Sequence, residues 1–183
     1  AVYFDGVLLG THRGGYLPFT FDIISHLKAG ENELVVSAWD PTDTQMQQRG
    51  KQVLKPKGIW YTAVSGIWQT VWLEGVPAVS IDSLRITPDL ADETLHVEVN
   101  LRGGDSAAGL HLTASAMADG VQITYTEAPN NETLELHIPN PRVWCPEDPF
   151  LYDLRVNLYR GEHLLDEVRS EEHTSELQSP NTI

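Results

Sequence analysis

Ser65-Gly66-Ile67-Trp68-Gln69-Thr70-Val71-Trp72-Leu73-Glu74 is the stretch on which the reading of this chain turns. A Ser-Gly pair suited to a tight turn leads into a segment rich in aromatic and β-branched residues, the composition of a strand. Trp68 and Trp72 stand four apart, which on a strand puts them on one face. Two large rings on one face predict core packing rather than an open platform for a ligand. The strand is expected to run from Trp68 to Val76, and Trp39 is expected in the same core.

Working outward, period-two patterning recurs in both directions and no segment sustains a 3.6-residue period, so helix content should be low. Towards the amino terminus, Val2–Phe4, Asp5-Gly6 and Val7–Leu9 read as a hairpin with a Gly-containing turn. Leu17–Ile23 and Glu33–Trp39 read as further strands, the second entered through the turn Gly30-Glu31-Asn32. A long loop, Asp40 to Thr62, precedes the opening stretch, and loops of that length in a compact domain are often functional. Val2-Tyr3-Phe4 already has the character of a strand interior, which predicts that the chain begins inside a domain.

Towards the carboxyl terminus, composition shifts at Gly75-Val76-Pro77 and aromatic residues thin out. Short strands are predicted at Val79–Thr87, Thr94–Leu101, Gly109–Met117, Val121–Thr126, Thr133–Ile138, Leu151–Tyr159 and His163–Val168. Turn signals separate them, at Pro88-Asp89, Arg102-Gly103-Gly104-Asp105, Asp119-Gly120, Pro129-Asn130-Asn131 and Arg160-Gly161. Seven short strands at this spacing predict an immunoglobulin-like sandwich. From Arg169 the alternation stops, and residues 169–179 resemble the translation of a sequencing-library adapter. The expectation for 169–183 is a disordered tail of that origin, excluded from fold reasoning.

The chain has 183 residues, enough for one large or two small domains, and a formal net charge of −14. Such a field repels nucleic acid, and no basic stripe compensates for it. Cys145 is the single cysteine, so no internal disulfide can form. No apolar run approaches the roughly 18 residues of a membrane span. No two of His12, His26, His96, His111, His137, His163 and His173 have the short spacing of a zinc motif. No nucleophile elbow, P-loop or dinucleotide fingerprint is present. Asn131-Glu132-Thr133 is a glycosylation sequon, meaningful only in a secreted eukaryotic protein.

Several spaced motifs, in order, carry a resemblance. They are Asp5-Gly6, Leu9-Gly10, His12, Gly14-Gly15-Tyr16, Pro18-Phe19 and Phe21-Asp22-Ile23. Then come Gly30-Glu31-Asn32-Glu33-Leu34-Val35-Val36, Trp39-Asp40-Pro41-Thr42-Asp43, the opening stretch, and Trp144, Pro146, Pro149, Leu151 and Tyr152. Together they resemble glycoside hydrolase family 2, which holds β-galactosidases, β-glucuronidases and β-mannosidases. Asp5-Gly6 stands where the family usually has Asn-Gly, and Cys145 where a small polar residue is more usual.

The resemblance implies an all-β chain. Residues 1–77 would be a sugar-binding jelly-roll domain lacking its amino-terminal part, and residues 78–168 an immunoglobulin-like β-sandwich. It also implies that catalysis belongs to a TIM barrel with two glutamates, about 5–5.5 Å apart in a retaining enzyme. A barrel needs roughly 250 residues, so neither catalytic glutamate is expected here. The implied partner is a β-glycoside carbohydrate, reached through the barrel, with no cofactor, metal, nucleic acid or membrane. A homo-oligomer of the full enzyme and a soluble location in the bacterial cytoplasm or periplasm are further expectations.

Within this chain, Asp40 and Asp43 are the obvious carboxylate pair. The plainer reading is a type I turn with Asp first and Pro second. The loop that follows also holds Arg49, Lys51, Trp60 and Tyr61. Charged hydrogen-bonding groups beside aromatic rings suit a sugar, whose apolar C–H face lies on a ring. These residues either shape a substrate entrance or form a loop anchored by its two aromatics, its charges solvated. Three functions compete: a non-catalytic part of a glycosidase, a stand-alone carbohydrate-binding module, and a structural spacer.

Overall fold

An extended strand leaves a row of N–H and C=O groups that only a neighbouring strand can satisfy. Where the chain offers such neighbours, strands form. The structure, a computed structural model, describes residues 1–103, 109–172 and 181–182. It divides into two units, Ala1–Leu73 and Glu74–Ile183, so the division falls a few residues before the expected boundary at Pro77.

The first unit holds short strands: β1 (Val2–Phe4), β2 (Val7–Gly10), β3 (Leu34–Val36), β4 (Gln52–Val53) and β5 (Tyr61–Thr62). β1 lies between β2 and β3, antiparallel to both, and β4 pairs with β5 in parallel. The β1–β2 turn is as the sequence suggests. Asp5 and Gly6 have φ of 47° and 80°, the two positive values that a type I′ hairpin turn demands. Asp5 also ties the turn to the next strand. Its N–H donates to Glu33 O at 2.8 Å, and its Oδ1 accepts from Glu33 N–H and Lys28 Nζ, both at 2.9 Å.

Two expected strands do not form. Leu17–Ile23 runs without a ladder into a single 3₁₀ turn, Ile24–His26. Trp68–Val76 is likewise unpaired, and the strand expected over Glu33–Trp39 shrinks to Leu34–Val36. Pro18 has no N–H to donate, and among the described residues no strand lies beside 68–76. The predicted burial fails with them: Trp39, Trp68 and Trp72 are 75%, 65% and 70% exposed. Only Val2 and Phe4 are buried apolar residues of this unit.

The second unit contains all seven predicted strands: β6 (Ser80–Asp89), β7 (Thr94–Arg102), β8 (Leu110–Ala118), β9 (Val121–Pro129), β10 (Leu134–His137), β11 (Tyr152–Arg160) and β12 (His163–Glu172). One sheet has the order β10-β7-β6, with a two-residue strand β13 (Asn181–Thr182) paired to β6; the other has the order β12-β11-β8-β9. The two inner faces meet in one core of Leu84, Ile86, Leu95, Val97, Leu112, Leu134, Leu136, Leu154, Val156 and Leu158. At the Ile81/Ser83 bulge of β6 the Ile81 N–H donates to Asp166 Oδ2 of β12 at 2.8 Å, joining the two sheets.

Trp144 to Tyr152 forms a clasp before β11. Cys145 and Asp148 exchange both backbone hydrogen bonds at 3.1 Å. Arg142 grips the Asp148 carboxylate with two nitrogens and lies 4.1 Å over the Phe150 ring. The Tyr152 hydroxyl accepts the Arg142 backbone N–H at 2.7 Å. The expected disorder of 169–183 does not hold for its described residues. β12 continues to Glu172, with Arg169 opposite Arg155 and Glu172 opposite Tyr152, and Asn181 and Thr182 pair with β6. A backbone ladder accepts any residue but proline, so composition did not decide this. Residues 173–180 and 183 lie outside the described residues.

Leu154 is buried on all sides of the sandwich, so Leu154→Ala should lower stability by about 2–5 kcal/mol in chemical denaturation. At Gly103, φ is 70° and an added Cβ would stand 2.0 Å from the Ala78 carbonyl oxygen. Gly103→Ala should therefore cost about 1–3 kcal/mol. Denaturation midpoints equal to that of the parent chain would contradict both assignments.

Candidate functional site

The loop from Asp40 to Ser65 is held by its own side chains. Asp40 Oδ1 accepts the Thr42 N–H at 2.8 Å, and Oδ2 accepts the Ser65 hydroxyl at 2.8 Å. Asp40 thus ties the start of the loop to the Ser-Gly turn at its end. The turn is not the expected type I, which keeps both central residues at negative φ. Thr42 has φ 52° and is buried, a strained state for a β-branched residue. The strain is held because both its backbone groups are occupied: the Asp40 carboxylate takes the N–H, and the Gln47 side-chain amide donates to the carbonyl.

The six sequence-selected residues fall into three small groups. Arg49 joins Asp43 and Trp60: its Nη1 donates to the Asp43 carbonyl at 3.4 Å, and its guanidinium lies 5.8 Å from the Trp60 ring centroid. That distance is within the reach of a cation–π contact, about 6 Å. Lys51 and Tyr61 are linked through their backbones, the Tyr61 N–H donating to Lys51 O at 2.8 Å. Their side chains are exposed. Asp40 stands apart with Ser65. No bond joins Asp40 to Asp43, and both Asp40 oxygens serve the loop.

A groove of about 530 Å³ adjoins this loop, lined by His12, Arg13, Tyr16, Leu17 and Gln48. His12 stacks on Phe19 with centroids 4.5 Å apart, and its buried Nε2 has no hydrogen-bond partner among the described residues. The Trp68 indole N–H donates to Gly15 O at 2.6 Å, and the ring meets Tyr16 edge-on at 6.1 Å. Trp68 therefore holds the Gly14-Gly15-Tyr16 segment of the groove rather than filling a core. The sequence singles out neither His12 nor Tyr16 as a site residue. Their proximity to Gln48 depends on contacts far apart in the chain.

Two carboxylates titrate away from their ordinary range. The Glu33 N–H, with the Lys28 ammonium second, holds the Asp5 carboxyl low. The Arg142 guanidinium does the same for Asp148. Among the described residues no group of three His, Cys, Asp or Glu side chains is placed to hold a metal ion. No described helix is long and apolar enough to cross a membrane.

Two packed antiparallel sheets of four strands each define the second unit as an immunoglobulin-like sandwich module. The family model described as glycosyl hydrolases family 2 matches residues 79–172, just over half of the chain. The chain belongs to that family. It is 28% identical over 175 residues to a β-galactosidase of Thermoanaerobacter pseudethanolicus, covering 90% of this chain and 23% of that protein. It is 28% identical over 179 residues to a putative β-glucuronidase of Formosa agariphila, covering 92% of this chain and 20% of that protein. Among solved structures, a β-glycosidase from Bacteroides vulgatus superimposes with a TM-score of 0.71 at 23% identity, over 94% of this chain and 21% of the other. A putative β-galactosidase from Bacteroides fragilis gives 0.66 at 25% identity, over 94% and 28%. The chain thus spans between a fifth and a quarter of the length of these curated relatives.

Removing the Asp40 carboxylate should loosen the loop at both ends. In Asp40→Ala, amide exchange at Thr42 should quicken about 5–30-fold, the loss of about 1–2 kcal/mol of hydrogen bonding; unchanged protection would refute the anchoring role. The lowered carboxyls give the pH dependence its sign. Folded Asp5 and Asp148 release protons more readily than in the unfolded chain, so their contribution is present above an unfolded pKa of about 3.9 and lost as pH falls through the folded value. Asp148→Asn should flatten the acid limb of a stability–pH profile, and an unaltered limb would contradict the pairing.

Proposed function

We propose that this chain is a non-catalytic part of a retaining β-glycosidase of β-galactosidase type. The observation that carries the proposal is the family match over the sandwich together with β-galactosidase and β-glucuronidase relatives four to five times longer than the aligned region. The catalytic carboxylates of the parent enzyme belong to its barrel. The substrate is a terminal β-glycoside, and the loop Asp40–Ser65 forms part of its entrance.

The geometry of the loop supports that role. Arg49 and Trp60 pair to present a guanidinium beside a ring, while Lys51 and Tyr61 leave their side chains free to meet a ligand. The apolar surface of the first unit supports the fragment reading over a stand-alone binding module. Leu17, Ile24, Ile59, Tyr61, Trp68, Trp72 and others are more than half exposed, and apolar exposure on this scale marks surface that a partner covers. In the proposal, other parts of the full-length enzyme cover it.

The chain should show no turnover on a panel of nitrophenyl β-glycosides, while the full-length enzyme hydrolyses at least one with retention. Turnover by the chain that Asp40→Asn abolishes would defeat the proposal. In the full-length enzyme, Arg49→Ala and Trp60→Ala should each lower kcat/KM about 10–100-fold, or ~1.4–2.7 kcal/mol. Unchanged kcat/KM for every glycoside would remove the loop from the entrance.

A further inference from the structure

Acidic residues outnumber basic ones 26 to 12 in this chain, so an exposed cation readily finds a carboxylate. Outside one segment most do. Lys28 pairs with Asp5, Arg85 with Glu98, Arg102 with Asp82, Arg142 with Asp148, and both Arg155 and Arg169 with Glu167. The segment between Asp43 and Glu74 departs from this pattern. It carries Arg49, Lys51, Lys55 and Lys57 and no acidic residue. Among the described residues none of these four has an ion-pair partner. The acid-free run is plain in the sequence, but that its cations stay unpaired is a property of the fold.

Three of the four converge on the two aromatic residues of the same loop. The Arg49 guanidinium lies 5.8 Å from the Trp60 ring centroid. The Lys57 carbonyl accepts the Trp60 N–H at 3.2 Å, and the Lys51 carbonyl accepts the Tyr61 N–H at 2.8 Å. The parallel pairing of Gln52 with Tyr61 holds this arrangement in register. Arg49 gives its one hydrogen bond to a neutral group, the Asp43 carbonyl, and so keeps its full charge. Trp60, Tyr61, Lys51, Lys55 and Lys57 are all exposed, so a ligand reaches them without displacing packed atoms. Cations select an anion, and the rings suit the apolar C–H face of a sugar. Four charges fall short of a nucleic-acid backbone, whose readers make about 6–10 phosphate contacts.

We propose that this loop selects glycosides whose leaving portion carries an anionic group, a carboxylate or a sulfate. The inference rests on the entrance role proposed for the loop. The terminal sugar passes on to the catalytic carboxylates of the parent enzyme, while the next unit stays at Trp60 and Tyr61. Its charge is met there by Lys51, Lys57 and Arg49. Each contact between exposed charges is weak and screened by salt, so the discrimination comes from several cations acting together.

Two measurements test it. On the whole chain, an amide-resolved NMR titration at low salt compares lactose with lactose 6-sulfated on its glucose and with 4-O-β-D-galactosyl-D-glucuronate. The charged sugars should shift residues 49–61 and bind about 3–30-fold tighter than lactose, and about 0.5 M NaCl should erase the difference. A response to one of the two names sulfate or carboxylate as the group. In the full-length enzyme, kcat/KM for the charged disaccharides should exceed that for lactose by a similar factor. Lys51→Gln with Lys57→Gln should bring that ratio near one, Lys51→Arg with Lys57→Arg should keep it, and Arg85→Gln should leave it unchanged. Equal kcat/KM for charged and neutral sugars would overturn the proposal, while turnover itself would still uphold the glycosidase reading. Shifts on the chain beside equal kcat/KM would mean that an acidic surface of the parent covers the loop, which overturns it too, as would a preference that survives Lys51→Gln with Lys57→Gln. No turnover of any of the three would count against the β-galactosidase reading instead, and the shifts on the chain would then decide the proposal alone.

Discussion

The pairing of β8 with β11, from Leu110 opposite Arg160 to Met117 opposite Asp153, is the constraint on which the second unit depends. One register sets two surfaces. On the inner face it brings Leu112, Ala114 and Ala116 beside Leu158, Val156 and Leu154, all buried. On the outer face it sets Thr113 beside Asn157 and Ser115 beside Arg155. A slip of one residue would exchange the faces and expose the core. The same hydrophobic pattern that closes the sandwich therefore also fixes which residues stand side by side on its outer face.

The first unit follows a different logic. Its strands are two to four residues long, too short to bury much between them. Its order comes from side chains that bind backbone: Asp5 to Glu33, Asn32 to Lys28 and Gly30, Asp40 to Thr42, Gln52 to Val64, Trp68 to Gly15. Each such bond contributes about 0.5–1.5 kcal/mol net. Some close over a few residues and others tie distant segments, as Trp68 does Gly15, so the loop Asp40–Ser65 keeps a defined shape without a large core beneath it.

What the sequence made legible follows from this difference. The seven strands of the sandwich could be read because their apolar alternation is matched by partners within the same unit. The Asp5-Gly6 turn could be read because two residues suffice to specify it. Trp68–Val76 was misread: aromatic composition favours a strand, but a strand also needs a neighbour, and propensity says nothing of that. The tryptophans then lost their predicted burial. In the loop, Arg49, Trp60, Lys51 and Tyr61 could be named by residue type, yet the link from Asp40 to Ser65 joins positions 25 apart and carries no local signal. The left-handed Thr42 was hidden for the same reason.

The bond from Ile81 N–H to Asp166 Oδ2 carries a mechanical meaning. β6 is the first long strand of the second unit and β12 the last. A backbone amide of one sheet is tied by it to a carboxylate of the other, 85 positions further along the chain, so sliding the two sheets past each other must break this bond.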